Sequence, residues 1–201
     1  MASARHAAVA AWLGLPAEVL IDLRDEVLEA IVARMQGGEA TLELRGRLAE
    51  AVETYRVQAL SDPLTGLPNR RALDQVLAAR SRRREPLTAV VIEIRDLARI
   101  NQDHGLAAGD AVIEDVAARV RAATSLGDLV ARASGTVLAV ISSEMDETAA
   151  AALVDQLSRS GSEPVQLEGA SIPVRLGIAW TAAVEATDSW DALRRMPLSR
   201  G

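Results

Sequence analysis

Apolar residues fall in two rhythms along this chain, and the change comes at Ser61. Before it the spacing is helical. Leu20, Leu23, Val27 and Ile31 recur every three or four positions and share one helix face. That segment is expected to begin at Leu15-Pro16 and to stop at Gly37-Gly38. Leu44, Leu48, Val52, Tyr55 and Ala59 make a second stripe, which fits an a/d seam for little more than one heptad. Residues 1–60 therefore read as an all-α helical hairpin, either packing on itself or serving as dimerisation or sensor helices.

After Ser61 the pattern breaks and then alternates. "SDPLTGLPNRRAL" carries two prolines, a glycine and an asparagine, so a turn-rich loop is expected there, followed by a short helix over about Arg70–Arg80. "LTAVVIEIR", Leu87–Arg95, is a nearly continuous apolar run and predicts a strand buried on both faces. "GDAVIEDVAARVRAA", Gly109–Ala123, reads as a helix capped by Asp110. "RASGTVLAVI", Arg132–Ile141, reads as a hairpin. Val137, Ala139 and Ile141 should face one way and Leu138 and Val140 the other, with Ser134-Gly135 at the bend and a positive φ at Gly135. A helix from Asp146 to about Ser158 follows. Two strands around Glu168-Gly169 and a last helix near Ser189 complete the pattern. The order β-α-β-β-α-β-β gives an α/β fold, an α+β sandwich of ferredoxin-like arrangement, over residues 61–201.

Composition narrows the chemistry. The chain has 201 residues, 49% hydrophobic and 25% charged, enough for a packed core in which Ala, Val and Leu stand in for absent Phe. A formal net charge of -6 argues against nucleic acid as a partner. Arg80, Arg82, Arg83 and Arg84 read as a solvated basic loop. With no cysteine there is no disulfide, no thiolate nucleophile and no Cys-based metal site. His6 and His104 are far apart in sequence, and His104 is expected to pack. Trp180 and Trp190 are expected in the core or an interface. No apolar run reaches membrane-spanning length, so no membrane partner and a cytoplasmic location are expected.

"DPLTGLPNRRAL", Asp62–Leu73, resembles the opening motif of GGDEF domains, the diguanylate cyclase family. "VIEIRDLARINQDHGLAAGDAVIEDVAARV" is similar to the family's stretch from its first core strand to its next helix, and "DLVARASGTVLAVI" falls where the signature hairpin belongs. The resemblance covers about residues 60–195 and implies a nucleotidyl-cyclase-like fold. It also implies an activity: joining two GTP molecules across a dimer of domains, with two divalent ions held by acidic side chains.

On that resemblance the first metal carboxylate falls on Glu93, and the neighbouring acidic position on Arg95, whose cation would repel metal. The family's phosphate-binding lysine falls on Ala98 and its preceding aromatic on Leu97. The five signature residues fall on Ser134, Gly135, Thr136, Val137 and Leu138, so both signature acids are replaced. Mg²⁺ needs several oxygen ligands that compensate its charge. No catalytic residue, metal ligand or cofactor is therefore expected. A Glu93–Arg95 salt bridge along the strand is the expected alternative to metal ligation. The family's inhibitory product site falls on Ser125-Leu126-Gly127-Asp128, which keeps the aspartate but not the arginine. Asn101 and Asp110 match residues that contact guanine in the family; their other reading is purely structural, at a helix end and a helix cap.

Three readings follow. The first is a catalytically inactive GGDEF-like signalling domain in cyclic-dinucleotide regulation. It would act by protein interaction or as a homodimer through helices in residues 1–60, with an unidentified protein partner. The second is a receptor for GTP or cyclic di-GMP in a remodelled pocket. The third is a residual diguanylate cyclase.

Overall fold

The computed structural model describes residues 4–20, 23–36, 42–160, 163–167, 169–196 and 199–200. It divides into two compact units, Met1–Leu60 and Ser61–Gly201. Gly37-Gly38 and Glu168, expected at a helix end and a turn, lie outside the described residues.

The first unit holds α1 (Ala4–Leu13), a single 3₁₀ turn (Ala17–Leu20), α2 (Asp25–Gln36) and α3 (Leu42–Leu60). This corrects the two-helix expectation. Gly14 takes a φ of 74°, which ends α1 before Pro16, and the stripe that begins at Leu20 is split between the 3₁₀ turn and α2. Val9, Leu13, Leu20, Leu23, Leu28, Ile31 and Val52 form one buried cluster. Although α3 runs 19 residues, only Val52 on it is buried. Its predicted seam residues Leu48 and Tyr55 are half exposed.

In the second unit, α4 (Arg70–Arg83) follows Asn69, whose side chain accepts from the Ala72 N–H as an N-cap. The helix runs three residues past its predicted end. Arg80, Arg82 and Arg83 thus form its last turn rather than a loop, where cations favour the helix C-terminus. Arg80 and Arg83 both approach Glu85, at 3.9 and 3.8 Å. Strand β1 (Pro86–Arg95) comes next, then α5 (Leu97–His104) and α6 (Leu106–Ala123). The N-cap of α6 is Gly105, so Asp110 lies on the helix and exposed instead of capping it. His104 is exposed too, contrary to expectation.

The hairpin is β2 (Leu129–Ser134) and β3 (Val137–Ser142), and α7 (Glu147–Ser160) follows it. Between Glu163 and Glu185 three strands appear where two were expected. A separate ribbon pairs β4 (Val165–Leu167) with β5 (Ala170–Ile172), while β6 (Arg175–Glu185) joins the main sheet. The chain ends with α8 (Trp190–Leu193) and the short β7 (Ser199–Arg200).

The main sheet has the order β2-β3-β1-β6-β7, every pair antiparallel. The apolar run in β1 comes from its central place with helices on both faces. Val90, Ile92 and Ile94 join Leu138 and Val140 beneath α5, α6 and α7. Leu87, Ala89, Ala139 and Ile141 join Leu73 and Leu77 of α4 and Trp190 and Leu193 of α8 on the other face. The predicted alternation of the hairpin is therefore the alternation observed. Leu73 and Leu77, one turn apart, are both 0% exposed, and each such burial stabilises the fold by about 1.5–3 kcal/mol.

Candidate functional site

Residues at one end of the sheet fall into a tightly paired set and a loosely held set. The paired set is built on the loop before α4. Asp62 Oδ1 accepts from the backbone N–H and the hydroxyl of Thr65, at 2.9 and 2.8 Å, which closes the turn locally. Arg132, on β2, donates from Nη1 to both Asp62 oxygens at 3.0 and 3.1 Å, and from Nη2 to the Gly135 carbonyl at 2.9 Å. The two side chains are only 14% and 16% exposed. Burial alone would raise the Asp62 pKa. The Thr65 N–H, Arg132 and the Thr65 hydroxyl together outweigh it and hold the carboxyl below its ordinary value. A backbone bond from Arg132 N–H to the Pro68 carbonyl, 2.8 Å, ties the same loop to the strand.

The tip of the hairpin is held by its backbone. The register shifts between Arg132 and Ser134, a bulge that turns the chain through Gly135-Thr136. Gly135 therefore does not take the positive φ expected of it. The Ile94 N–H donates to the Thr136 carbonyl at 2.8 Å, fixing the tip to β1. Glu93 sits between Val137 of β3 and Gly177 of β6, and Arg95 faces Arg175.

Glu93 and Arg95 are both exposed, and the expected salt bridge between them is not formed. Exposed pairs gain little, and a better seat for Arg95 lies across the strand. Its guanidinium occupies the slot left by the missing side chain of Gly177, where a Cβ would stand 2.6 Å from Arg95 Nε. Arg175 turns instead to Asp96, donating from Nε at 2.6 Å. Among the described residues the tip thus offers one unpaired carboxylate, one threonine hydroxyl and a guanidinium, the Asp96 carboxylate being taken by Arg175. Two divalent cations, which the family resemblance implies, do not fit that donor set. Among the described residues no group of three His, Asp or Glu side chains gathers anywhere.

Asn101 and Asp110 come from α5 and α6, which pack closely against each other. The Asn101 side chain lies against Gly109, where any Cβ would collide with Asn101 Oδ1. That oxygen is buried and has no hydrogen-bond partner among the described residues. Asp110 is the next residue along, and it is exposed. At Ser125–Asp128, Asp128 Oδ2 accepts from the Ser125 N–H at 2.9 Å, so the surviving aspartate closes its own turn. Arg121, one helical turn earlier, reaches the Ser125 and Asp128 carbonyls at the long distances of 3.4 and 3.5 Å.

The family model for the diguanylate cyclase GGDEF domain matches residues 59–196. The chain belongs to this family. Diguanylate cyclase TpbB of Pseudomonas aeruginosa is 32% identical over 155 residues, 74% of this chain and 36% of that protein. Diguanylate cyclase DgcP of the same organism is 40% identical over 94 residues, 45% of this chain and 14% of that protein. The chain thus spans well under half the length of these relatives. The crystal structure of the TpbB GGDEF domain superposes with a TM-score of 0.58 at 31% identity, covering 65% of this chain and 84% of that one.

Sequence reasoning placed the hairpin of this GGDEF domain correctly but missed its anchor. Asp62 and Thr65 are legible as a local turn. Nothing in their spacing announces that Arg132, 70 positions away, completes the pair. It missed Asp74 as well, whose Oδ1 accepts from the Trp190 N–H at 2.7 Å and so caps α8 from α4.

Proposed function

We propose that this chain is a catalytically inactive GGDEF domain, a regulatory module of cyclic di-GMP signalling that works by protein interaction or dimerisation. The reading rests above all on the tip of the hairpin. Thr136 and Val137 stand where the family's signature acids belong. Arg95, which pairs with no described residue, lies beside Glu93, the one unpaired carboxylate left there among the described residues. Joining nucleotides through metal ions requires negative charge at that point, and Arg95 supplies the opposite sign. The helical unit of residues 1–60 is the proposed dimerisation segment, in a protein working in the cytoplasm. Among the described residues no helix is long and apolar enough to cross a membrane, which is consistent with that setting.

The test is direct. The purified chain is incubated with GTP and Mg²⁺ or Mn²⁺, and the products are separated by anion exchange. Unchanged GTP is the expected result, and accumulation of cyclic di-GMP overturns the reading. Light scattering on the full chain and on residues 61–201 tests the dimer, which should weaken when the first 60 residues are removed.

A second reading is favoured by one observation, the unpartnered Asn101 Oδ1 beside Asp110. An amide and a carboxylate side by side present the acceptors and donors that a guanine edge requires. In this reading the domain is a GTP or cyclic di-GMP receptor. Calorimetry with each nucleotide, with and without Mg²⁺, decides it. Micromolar binding that Asp110→Ala abolishes would replace the first reading with the second.

A further inference from the structure

The helices α2 and α3 close only in part: Ile31 and Val52, each 3% exposed, meet in the buried cluster and floor a groove between them. α1 packs against both, and the 3₁₀ turn packs against α3, but α2 and α3 make few close backbone approaches. Packed helices normally run about 8–10 Å apart. The seam left open here is a groove of about 520 Å³, within the roughly 300–1,000 Å³ range of small-molecule sites. Its walls are aliphatic: Leu23, Val27 and Ile31 on one side, Leu48 and Val52 on the other. The lining runs along α3 from Leu44 to Tyr55, about 16 Å of helix at 1.5 Å per residue.

Charge lines the same groove with one sign. Arg34 of α2 and Arg47 of α3 both border it. Among the described residues Arg34 donates to the Ala30 carbonyl of its own helix, at 3.3 Å, and to no carboxylate, while Arg47 pairs with none of them. Glu43 and Glu50 stand one helical turn either side of Arg47 and form no ion pair with it. Glu53 is engaged by Arg56, Glu29 faces Arg5 at 3.7 Å, and no described carboxylate lines the groove. An apolar trough carrying two guanidiniums that face no carboxylate complements one kind of molecule: a long aliphatic body with an anionic head.

The geometry points to a binding site in the first unit for an amphipathic carboxylate of acyl-chain type, its tail along Val27, Ile31, Leu48 and Val52 and its head on Arg34 and Arg47. The site is separate from the GGDEF fold and independent of whether that fold turns over nucleotides. By chain continuity α3 ends at Leu60, directly before Ser61, where the GGDEF unit begins.

The full chain is titrated by calorimetry with decanoate and with decanol, both below their aggregation thresholds. Saturable one-to-one uptake of decanoate is expected. In the double variant Arg34→Gln and Arg47→Gln, decanoate affinity should fall by at least about ten-fold while decanol affinity stays the same. Ala51→Trp should plug the groove and abolish uptake of both, with helix content by circular dichroism unchanged. Ala30→Leu serves as the smaller plug if the tryptophan unfolds the unit. Absence of saturable binding overturns the proposal, as does equal weakening of decanoate and decanol in the arginine variant. It also falls if sedimentation shows a dimer that takes up no decanoate and that Ala51→Trp dissolves, for then the groove holds a second copy.

Discussion

Arg132 and Arg95 stand at the same end of one sheet and have opposite surroundings. Arg132 is nearly buried, grips both oxygens of Asp62, and reaches the carbonyl of Gly135. Arg95 is exposed, rests over the bare backbone of Gly177, and pairs with no described residue. The first arginine maintains the position of the hairpin. The second occupies a place that the family resemblance gives to an acidic residue, next to the metal carboxylate that falls on Glu93. The comparison separates two properties of a signature hairpin, being held in place and being equipped for chemistry. This chain keeps the first and carries different side chains for the second.

The largest effect should come from removing the anchor. Arg132→Ala leaves the Asp62 carboxylate in a half-closed site without its cation, and loss of one partner of such a pair costs about 3 kcal/mol. Urea unfolding of residues 61–201 should show a lower midpoint with an unchanged slope. A loss under about 1 kcal/mol would mean that Thr65 alone holds the turn, and the contrast between the two arginines would collapse.

The same anchor predicts a pH dependence, next in size. The folded pKa of Asp62 lies below its ordinary value of 3.8, so its ion pair contributes fully above that value. The contribution is lost as pH falls through 3.8 toward the folded value, where the native carboxyl takes up its proton. Urea midpoints measured from pH 7 down to pH 3 should drop more steeply in the wild type than in Asp62→Asn. Parallel curves would show that Asp62 titrates normally and that Arg132 does not hold it.

What the sequence disclosed and what it hid divide along the same physical line. The alternation of β3, the helix that follows Asn69 and the burial of β1 depend on residues within a few positions of one another, and local pattern reports these. Long-range choices were opaque. The Glu93–Arg95 pair looked compelling on one strand, yet it lost to a slot at Gly177, which is 82 positions from Arg95 in sequence and adjacent to it in the sheet. Asp110 looked like a cap because aspartate favours that position, but Gly105 starts α6 one turn earlier. The split of the first unit into three helices hinged on a positive φ at Gly14 that the apolar stripe did not register.

A smaller effect is expected where Asp74 caps α8. The Trp190 N–H donates to Asp74 Oδ1, and Ser189 caps the same short helix through the Ala192 N–H at 3.4 Å. Asp74→Ala should cost about 1 kcal/mol, the ordinary worth of an N-cap. Trp190 is 1% exposed, so in a variant with Trp12→Phe and Trp180→Phe its fluorescence reports whether α8 detaches before the sheet unfolds. Coincident fluorescence and circular dichroism transitions would show that the helix leaves only with the whole unit.

The smallest effects are expected at the tip, and they sharpen the comparison most. Glu93→Gln and Arg95→Gln remove charges that touch no described partner, so each should change stability by no more than about 0.5 kcal/mol. The double substitution should equal the sum of the two singles, because residues that do not interact have no coupling energy. Gly177→Ala gives an internal control: it should displace Arg95, since the new Cβ would lie 2.6 Å from Nε, and should then leave Arg95→Gln without further effect. A coupling above about 1 kcal/mol between Glu93 and Arg95 would mean that the two groups pair in solution. Arg95 would then be held by a carboxylate just as Arg132 is, and the contrast between the two arginines would vanish.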